Sequence, residues 1–164
     1  VRRKTRSSGL SETPARPIKA GSRATVTFNT MHSETAPAPV SPLPSVLVVD
    51  DEPQVVWVLQ FSLEAEGYTT YAANNGVEAL AEISEHHPGL MVLDIMMPTM
   101  DGWAVLEEMV KLPDGQRPRV VIVSALSSLR DRAKAAELGA DAYMPKPFNV
   151  DELLQVLHGL EEAS

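Results

Sequence analysis

Four short apolar runs in this 164-residue chain lead into residues that can do chemistry. V-L-V-V runs into Asp50 and Asp51, L-M-V-L into Asp94, V-V-I-V into Ser124, and A-Y-M-P into Lys146. Parallel strands set their C-terminal ends along one edge of a sheet, and open α/β folds place their sites at that edge. The order of these runs would gather three carboxylates, a hydroxyl and an ammonium in one pocket. Such a pocket suits a divalent cation and can hold a phosphoryl group on an aspartate.

Each residue has a plainer reading beside the chemical one. Asp50 and Asp51 leave a buried strand together, which is costly without a counter-charge. Where the chain leaves the pleat both can face one cation, and Mg²⁺ prefers such oxygen ligands. D-D-E-P also reads as an acidic start to a helix, complementing its dipole. Asp94 could serve as a turn residue. An aspartate on the same edge as a second acidic pair is better placed to attack a phosphoryl donor, with a metal neutralising charge on the transferred group. Ser124 could donate to a phosphoryl oxygen or cap a turn, a task Ser127 or Ser128 would fill as well. Lys146 lies between Pro145 and Pro147, which argues for a fixed ammonium over a solvated one, and its bond to Pro147 is a candidate for the cis form.

The elements that must position these residues alternate from Ser45 onward. Val46–Asp50, Tyr68–Ala72, Leu90–Leu93, Val120–Val123 and Ala142–Met144 read as strands, the second at a sheet edge. Pro53–Gly67, Asn75–His86, Gly102–Leu112, Ser127–Leu138 and Val150–Leu160 read as helices. Their inward faces are expected to be Val55, Val56, Leu59 and Leu63 in the first, Val77, Leu80, Ala81 and Ile83 in the second, and Val105, Leu106 and Met109 in the third. Five βα units predict an α/β fold, a doubly wound parallel sheet covered by helices on both faces.

Composition narrows the classes. Cysteine is absent, which excludes disulfides, thiolate nucleophiles and cysteine metal sites and fits a cytoplasmic location. No apolar run reaches the ~18 residues that span a bilayer. The net charge is -8, against nucleic-acid binding by the whole chain. That charge is uneven: residues 1–45 hold seven Lys or Arg and two Glu, whereas the rest hold seven Lys or Arg and twenty Asp or Glu. Residues 1–44, basic and rich in Pro and Ala, are expected to form a disordered tail ahead of one folded domain at 45–162. The chain starts at Val1 and its first methionine is Met31, so residues 1–30 are expected to derive from a start upstream of the native one.

The chain resembles the receiver domain of two-component response regulators. The resemblance rests on V-V-D-D-E-P, L-D-I-M-M-P-T-M-D-G, V-S-A, G-A-D-A-Y and K-P-F, in that order across residues 45–162. It implies a flavodoxin-like sheet of order 2-1-3-4-5 with five helices. It implies phosphorelay signalling, in which a histidine kinase or phosphotransfer protein phosphorylates Asp94. Asp50, Asp51 and Asp94 would hold Mg²⁺ with the backbone carbonyl of Met96, Ser124 and Lys146 would bind the phosphoryl group, and Tyr143 matches the family's switch aromatic. Met96 and Leu126 are apolar where many members are polar, which predicts a drier site and a longer-lived phosphoryl group.

The chain carries no helix-turn-helix or catalytic segment after its last helix. It is therefore expected to act as a stand-alone, non-enzymatic, chemotaxis-type regulator that contacts an unknown downstream protein without binding DNA through its folded domain. Family members with DNA-binding outputs that pair through the fourth helix, fifth strand and fifth helix usually carry a basic residue in the last helix. Val150–Leu160 has no Lys or Arg, so a monomer or weak homodimer is expected. The alternatives are a Mg²⁺-dependent phosphohydrolase with an aspartyl nucleophile, or a receiver fragment of a hybrid kinase. The first would want a second acid where Met96 stands. A flavin carrier is disfavoured because D-D-E-P repels phosphate. Trp57 is expected to be partly exposed, Trp103 to pack at a helix start, and the four histidines show no ligand spacing.

Overall fold

In the computed structural model of the chain, residues 43–162 are described. The expected tail at 1–44 and the expected upstream stretch at 1–30 fall outside them, but for the last two residues of that tail. The elements are β1 (Val46–Val49), α1 (Pro53–Ala65), β2 (Thr70–Ala73), α2 (Gly76–His86), β3 (Leu90–Leu93), α3 (Gly102–Met109), β4 (Arg119–Ser124), α4 (Leu129–Glu137), β5 (Ala142–Pro145) and α5 (Val150–Glu162). All four strand pairings are parallel, and the sheet order is β2-β1-β3-β4-β5, as the sequence led one to expect.

The strands alternate with period two, and both faces are buried. Leu47, Val49, Met91, Leu93, Val120 and Ile122 face one layer, where Ala79, Ile83, Val105, Leu106 and Ala135 of the helices meet them. Val46, Val48, Leu90, Val92, Val121 and Val123 face the other, against Leu59, Leu63, Leu153 and Leu157. Burial of these side chains is the main source of stability, about 1.5–3 kcal/mol for each fully buried large aliphatic group.

Local chemistry sets most helix ends. Asn75 accepts from the N–H groups of Val77 and Glu78 at the head of α2, and Asp101 accepts from Ala104 at the head of α3. Ser128 and Asp131 form a reciprocal capping box. That box moves the start of α4 to Leu129, two residues later than the expected Ser127, because the cap itself is non-helical. Gly139 takes a φ of +86° just past α4, the left-handed stop that glycine supplies without strain.

Two expectations need correction. The inward face of α2 is Gly76, Ala79, Leu80 and Ile83; Val77 and Ala81 are exposed. The cause is Gly76, whose missing side chain lets α2 press on Met100 and Val105 and so rotates the buried stripe by one position. Tyr68 does not open β2. It is buried ahead of the strand, its N–H donates to the Leu63 carbonyl in the turn after α1, and its hydroxyl donates to Glu161 of α5. Burial, with the Glu161 contact adding to it, pushes the Tyr68 hydroxyl pKa up.

Gly102 has a stricter role. A Cβ there would lie 2.4 Å from the Asp94 carbonyl oxygen and 2.8 Å from Ile95 Cα, both backbone. The first turn of α3 therefore sits directly on the chain that carries Asp94, fixed by the Gly102 N–H donating to the Ile95 carbonyl at 2.9 Å. At Gly159 in α5, by contrast, an added Cβ meets nothing within 4 Å. Gly102→Ala is expected to cost about 1–3 kcal/mol in urea unfolding. Gly159→Ala should gain about 0.5–1 kcal/mol. Equal effects at the two positions would contradict this account of the α3 contact.

Candidate functional site

The register brings the reactive residues to one edge. Val49 of β1 pairs with Leu93 of β3, and Leu93 pairs with Ile122 of β4, so Asp50 and Asp94 emerge level just past their strands and Ser124 closes β4 one position further on. Ser124 pairs with Pro145 of β5, and the Lys146 N–H donates to the Ser124 carbonyl at 2.8 Å. The Asp94 N–H donates to the Val49 carbonyl at 2.8 Å, which anchors that backbone to the central strand.

Asp50 and Asp94 are 3% and 4% exposed, and Ser124 is fully buried. Two carboxylates this deep repel one another and lose their hydration, so a cation is obligatory. Lys146 provides it. Its Nζ lies 2.8 Å from Asp50 Oδ2, 3.4 Å from Asp94 Oδ2 and 3.5 Å from Glu52 Oε1. The Lys146–Pro147 peptide, a candidate for the cis form in the sequence, is cis. Glu52 was not singled out in the sequence. Its place beside the acidic pair was the available signal, but nothing along the chain shows it reaching Lys146.

Titration follows from this arrangement. Burial raises the Asp94 pKa above the ordinary carboxylate value; the Lys146 ammonium pulls it down, the Asp50 charge pushes it up, and the Met96 N–H at 3.3 Å pulls it down. Burial alone would lower the Lys146 pKa. The hydrogen bond to Asp50 and the charges of Asp94 and Asp50 outweigh it and hold the ammonium protonated.

One carboxylate oxygen from each of Asp50, Asp51 and Asp94 can be chosen so that all three lie within 4.8 Å of one another. Asp51 is exposed and forms the outer wall. Oxygens on one Mg²⁺, bound at about 2.0–2.1 Å each, stand no more than about 4.2 Å apart, so a small closure suffices. The hard oxygen set, already bridged by an ammonium, fits such an ion. Among the described residues this is the one acidic cluster of that kind, and the histidines form none. His86 instead stacks on Tyr71 and His158 on Tyr68.

Ser124 is not a helix cap, since Ser128 caps α4. Its Oγ accepts from the Leu126 N–H at 3.2 Å, while the Tyr143 hydroxyl donates to the Leu126 carbonyl at 2.7 Å. Burial raises the Tyr143 hydroxyl pKa, against a hydrogen bond from Ser124. An open cleft of about 460 Å³ adjoins the site, lined by Asp51, Met96, Asp101, Trp103 and Leu126 among others. Met96 is 57% exposed at its mouth. Trp103 is half-buried in its wall, and Trp57 is 66% exposed, stacked on Phe61 along α1. No helix among the described residues is long and apolar enough to cross a membrane.

A doubly wound parallel sheet with an acidic cluster and a lysine at its C-terminal edge defines the site architecture of phosphorelay receivers. Residues 46–158 match the response regulator receiver domain, and the chain belongs to that family. A probable transcriptional regulator, ycf27 of Porphyridium aerugineum, is 40% identical over 123 residues, covering 73% of this chain and 50% of the relative. Response regulator MprA of Mycobacterium ulcerans is 39% identical over 115 residues, covering 70% of this chain and 49% of its own length. The chain thus spans about half the length of the curated relatives it matches. Among solved structures, the receiver domain of Francisella response regulator 1452 aligns with a TM-score of 0.69 at 33% identity, over 74% of this chain and 98% of that one. A CheY-like receiver domain protein of Methanospirillum hungatei aligns with a TM-score of 0.66 at 32% identity, over 74% and 99%.

The raised Asp94 pKa has a consequence for stability. A carboxyl whose folded pKa lies above its unfolded one contributes fully at low pH and loses that contribution as pH rises through the folded value. Ionised Asp94 therefore weakens the fold at pH 7. With a chelator present, Asp94→Asn is expected to raise the urea midpoint at pH 7, and the gain should vanish below about pH 4. An unchanged or lower midpoint at pH 7 would contradict the raised pKa.

Proposed function

We propose that the domain accepts a phosphoryl group on Asp94 from a phosphohistidine of a histidine kinase or phosphotransfer protein, and that this changes its contact with a downstream protein. The observation that carries the reading is the sharing of Lys146 between Asp50 and Asp94, two buried carboxylates that no folding requirement would place side by side. Asp94 Oδ attacks phosphorus, the P–N bond of the donor breaks, and the imidazole leaves as it regains a proton. The product is an acyl phosphate on Asp94.

Asp50, Asp51 and Asp94, with the Met96 carbonyl, are the residues that would hold Mg²⁺. Bound there, the ion would offset charge on the phosphoryl oxygens. Lys146 keeps its position and exchanges the Asp94 carboxylate for a phosphoryl oxygen. Ser124 turns its hydroxyl toward a second oxygen. Tyr143 follows the loop that Ser124 holds. The reading makes the domain a regulatory part and not an enzyme acting on other molecules, and it places the protein in the cytoplasm with its donor. The curated relatives are about twice as long as the segment that matches them, so a comparable output segment belongs to the same reading.

Incubation with acetyl phosphate and Mg²⁺, followed by intact-mass measurement, should add one phosphoryl group to the wild type and none to Asp94→Ala. Steady release of phosphate over many turnovers would favour a phosphohydrolase instead. Met96 at the cleft mouth offers water no hydrogen bond, so Met96→Asn is expected to shorten the phosphoryl half-life severalfold. An unchanged half-life would show that the side chain does not govern water entry.

A further inference from the structure

Helix α4 is seated unlike the other four. Ala135 is its one buried residue, whereas α1 buries Val56, Leu59 and Leu63, α3 buries Val105, Leu106 and Met109 besides Gly102, and even α5 buries Leu153 and Leu157. So small an apolar seat cannot by itself hold nine residues against the sheet. Two cations of α4 supply the remainder. The Arg132 guanidinium stands 5.2 Å over the Tyr143 ring, and its Nη1 donates to the Tyr143 carbonyl at 3.4 Å. The Lys134 ammonium stands 4.5 Å over the Trp103 ring.

Both rings lead to the same residue, Leu126. Tyr143 donates its hydroxyl proton to the Leu126 carbonyl, and Trp103 shares the cleft wall with the Leu126 side chain. The Leu126 N–H, in turn, is held by Ser124 Oγ. Leu126 is thus gripped through its N–H by the site and through its carbonyl by the ring under Arg132. If Ser124 turns to a phosphoryl oxygen, the lone pair that accepts the Leu126 N–H is reoriented. The loop then loosens, and with it the ring on which Arg132 rests.

We propose that Arg132 and Lys134 are positioning residues: two cation–π clamps that hold α4 down in the resting protein and open when the phosphoryl pocket is filled. The coupling rests on the reading of Asp94 as phosphoacceptor; the clamps themselves do not. A site that releases α4 must, by reciprocity, be favoured when α4 is already loose.

The test uses Arg132→Met and Lys134→Met, singly and together. Met keeps an apolar stem and a similar helix propensity while removing the cation. Arg130→Met is the control, because Arg130 meets no aromatic ring among the described residues. Amide exchange in α4 of the resting protein should quicken about two- to fivefold for each clamp removed, the effect of one exposed cation–π contact. Exchange in α1 and α5 should stay unchanged, and the control should match the wild type. Beryllium trifluoride with Mg²⁺, a tetrahedral stand-in for the phosphoryl group, should bind the double variant at least severalfold tighter than the wild type.

Unaltered α4 exchange in the double variant would overturn the clamps. Faster exchange with unaltered beryllium trifluoride affinity would overturn the coupling and leave two purely structural contacts. No binding to the wild type at all would overturn the proposed function, and the coupling with it, while the exchange result would still decide the clamps.

Discussion

The structure turns on one ammonium. Asp50 and Asp94 lie almost out of water, and two anions so placed cannot share an edge unless a cation stands between them. Lys146 meets that need from β5, at the far end of a register that runs through β1, β3 and β4. Every parallel pairing between β1 and β5 must form in its observed register for the charge to arrive. Fold and site are therefore one constraint: the acidic pair is tolerable because the sheet delivers the lysine, and the lysine is held because the pair is there. The protein keeps this arrangement at a cost, visible in the raised Asp94 pKa. A site kept under that tension favours any event that adds positive charge or removes a carboxylate.

The family match and the geometry support one another without being the same argument. The match covers residues 46–158 and establishes the kind of domain. The distances establish that Asp50, Asp51, Asp94 and Lys146 lie together in this chain. The curated relatives extend to about twice the length of the segment they share with this chain.

The reactive edge was legible along the chain because it rests on order. Short apolar runs cannot be confused with amphipathic helices when each ends in a polar residue and is followed by a 3.6-residue pattern, and right-handed parallel connection then fixes which ends align. Legibility failed where contacts cross space. Val77 reads as an inward residue by hydropathy, yet the bare face of Gly76 decides the rotation of α2. Tyr68 reads as the start of a strand, yet Glu161, far along the chain, claims its hydroxyl. Glu52, Arg132 and Lys134 look like ordinary surface charges. Their partners lie on other elements, and no spacing along one segment encodes a cation above a distant ring.

The close seating of Gly102 on the Asp94 carbonyl divides the domain into unequal halves. On the β1–β3 side, α3 leaves no room for even a methyl group, so the backbone that carries Asp94 rests on something like an anvil. On the β4–β5 side, a polar helix with one buried alanine rests on the Trp103 and Tyr143 rings. The two flanks of this seam are thus seated by different means, one by backbone contact and the other by cations on rings. Exposed α4 positions other than Arg132 and Lys134 can diversify toward new listeners while both seatings stay in place.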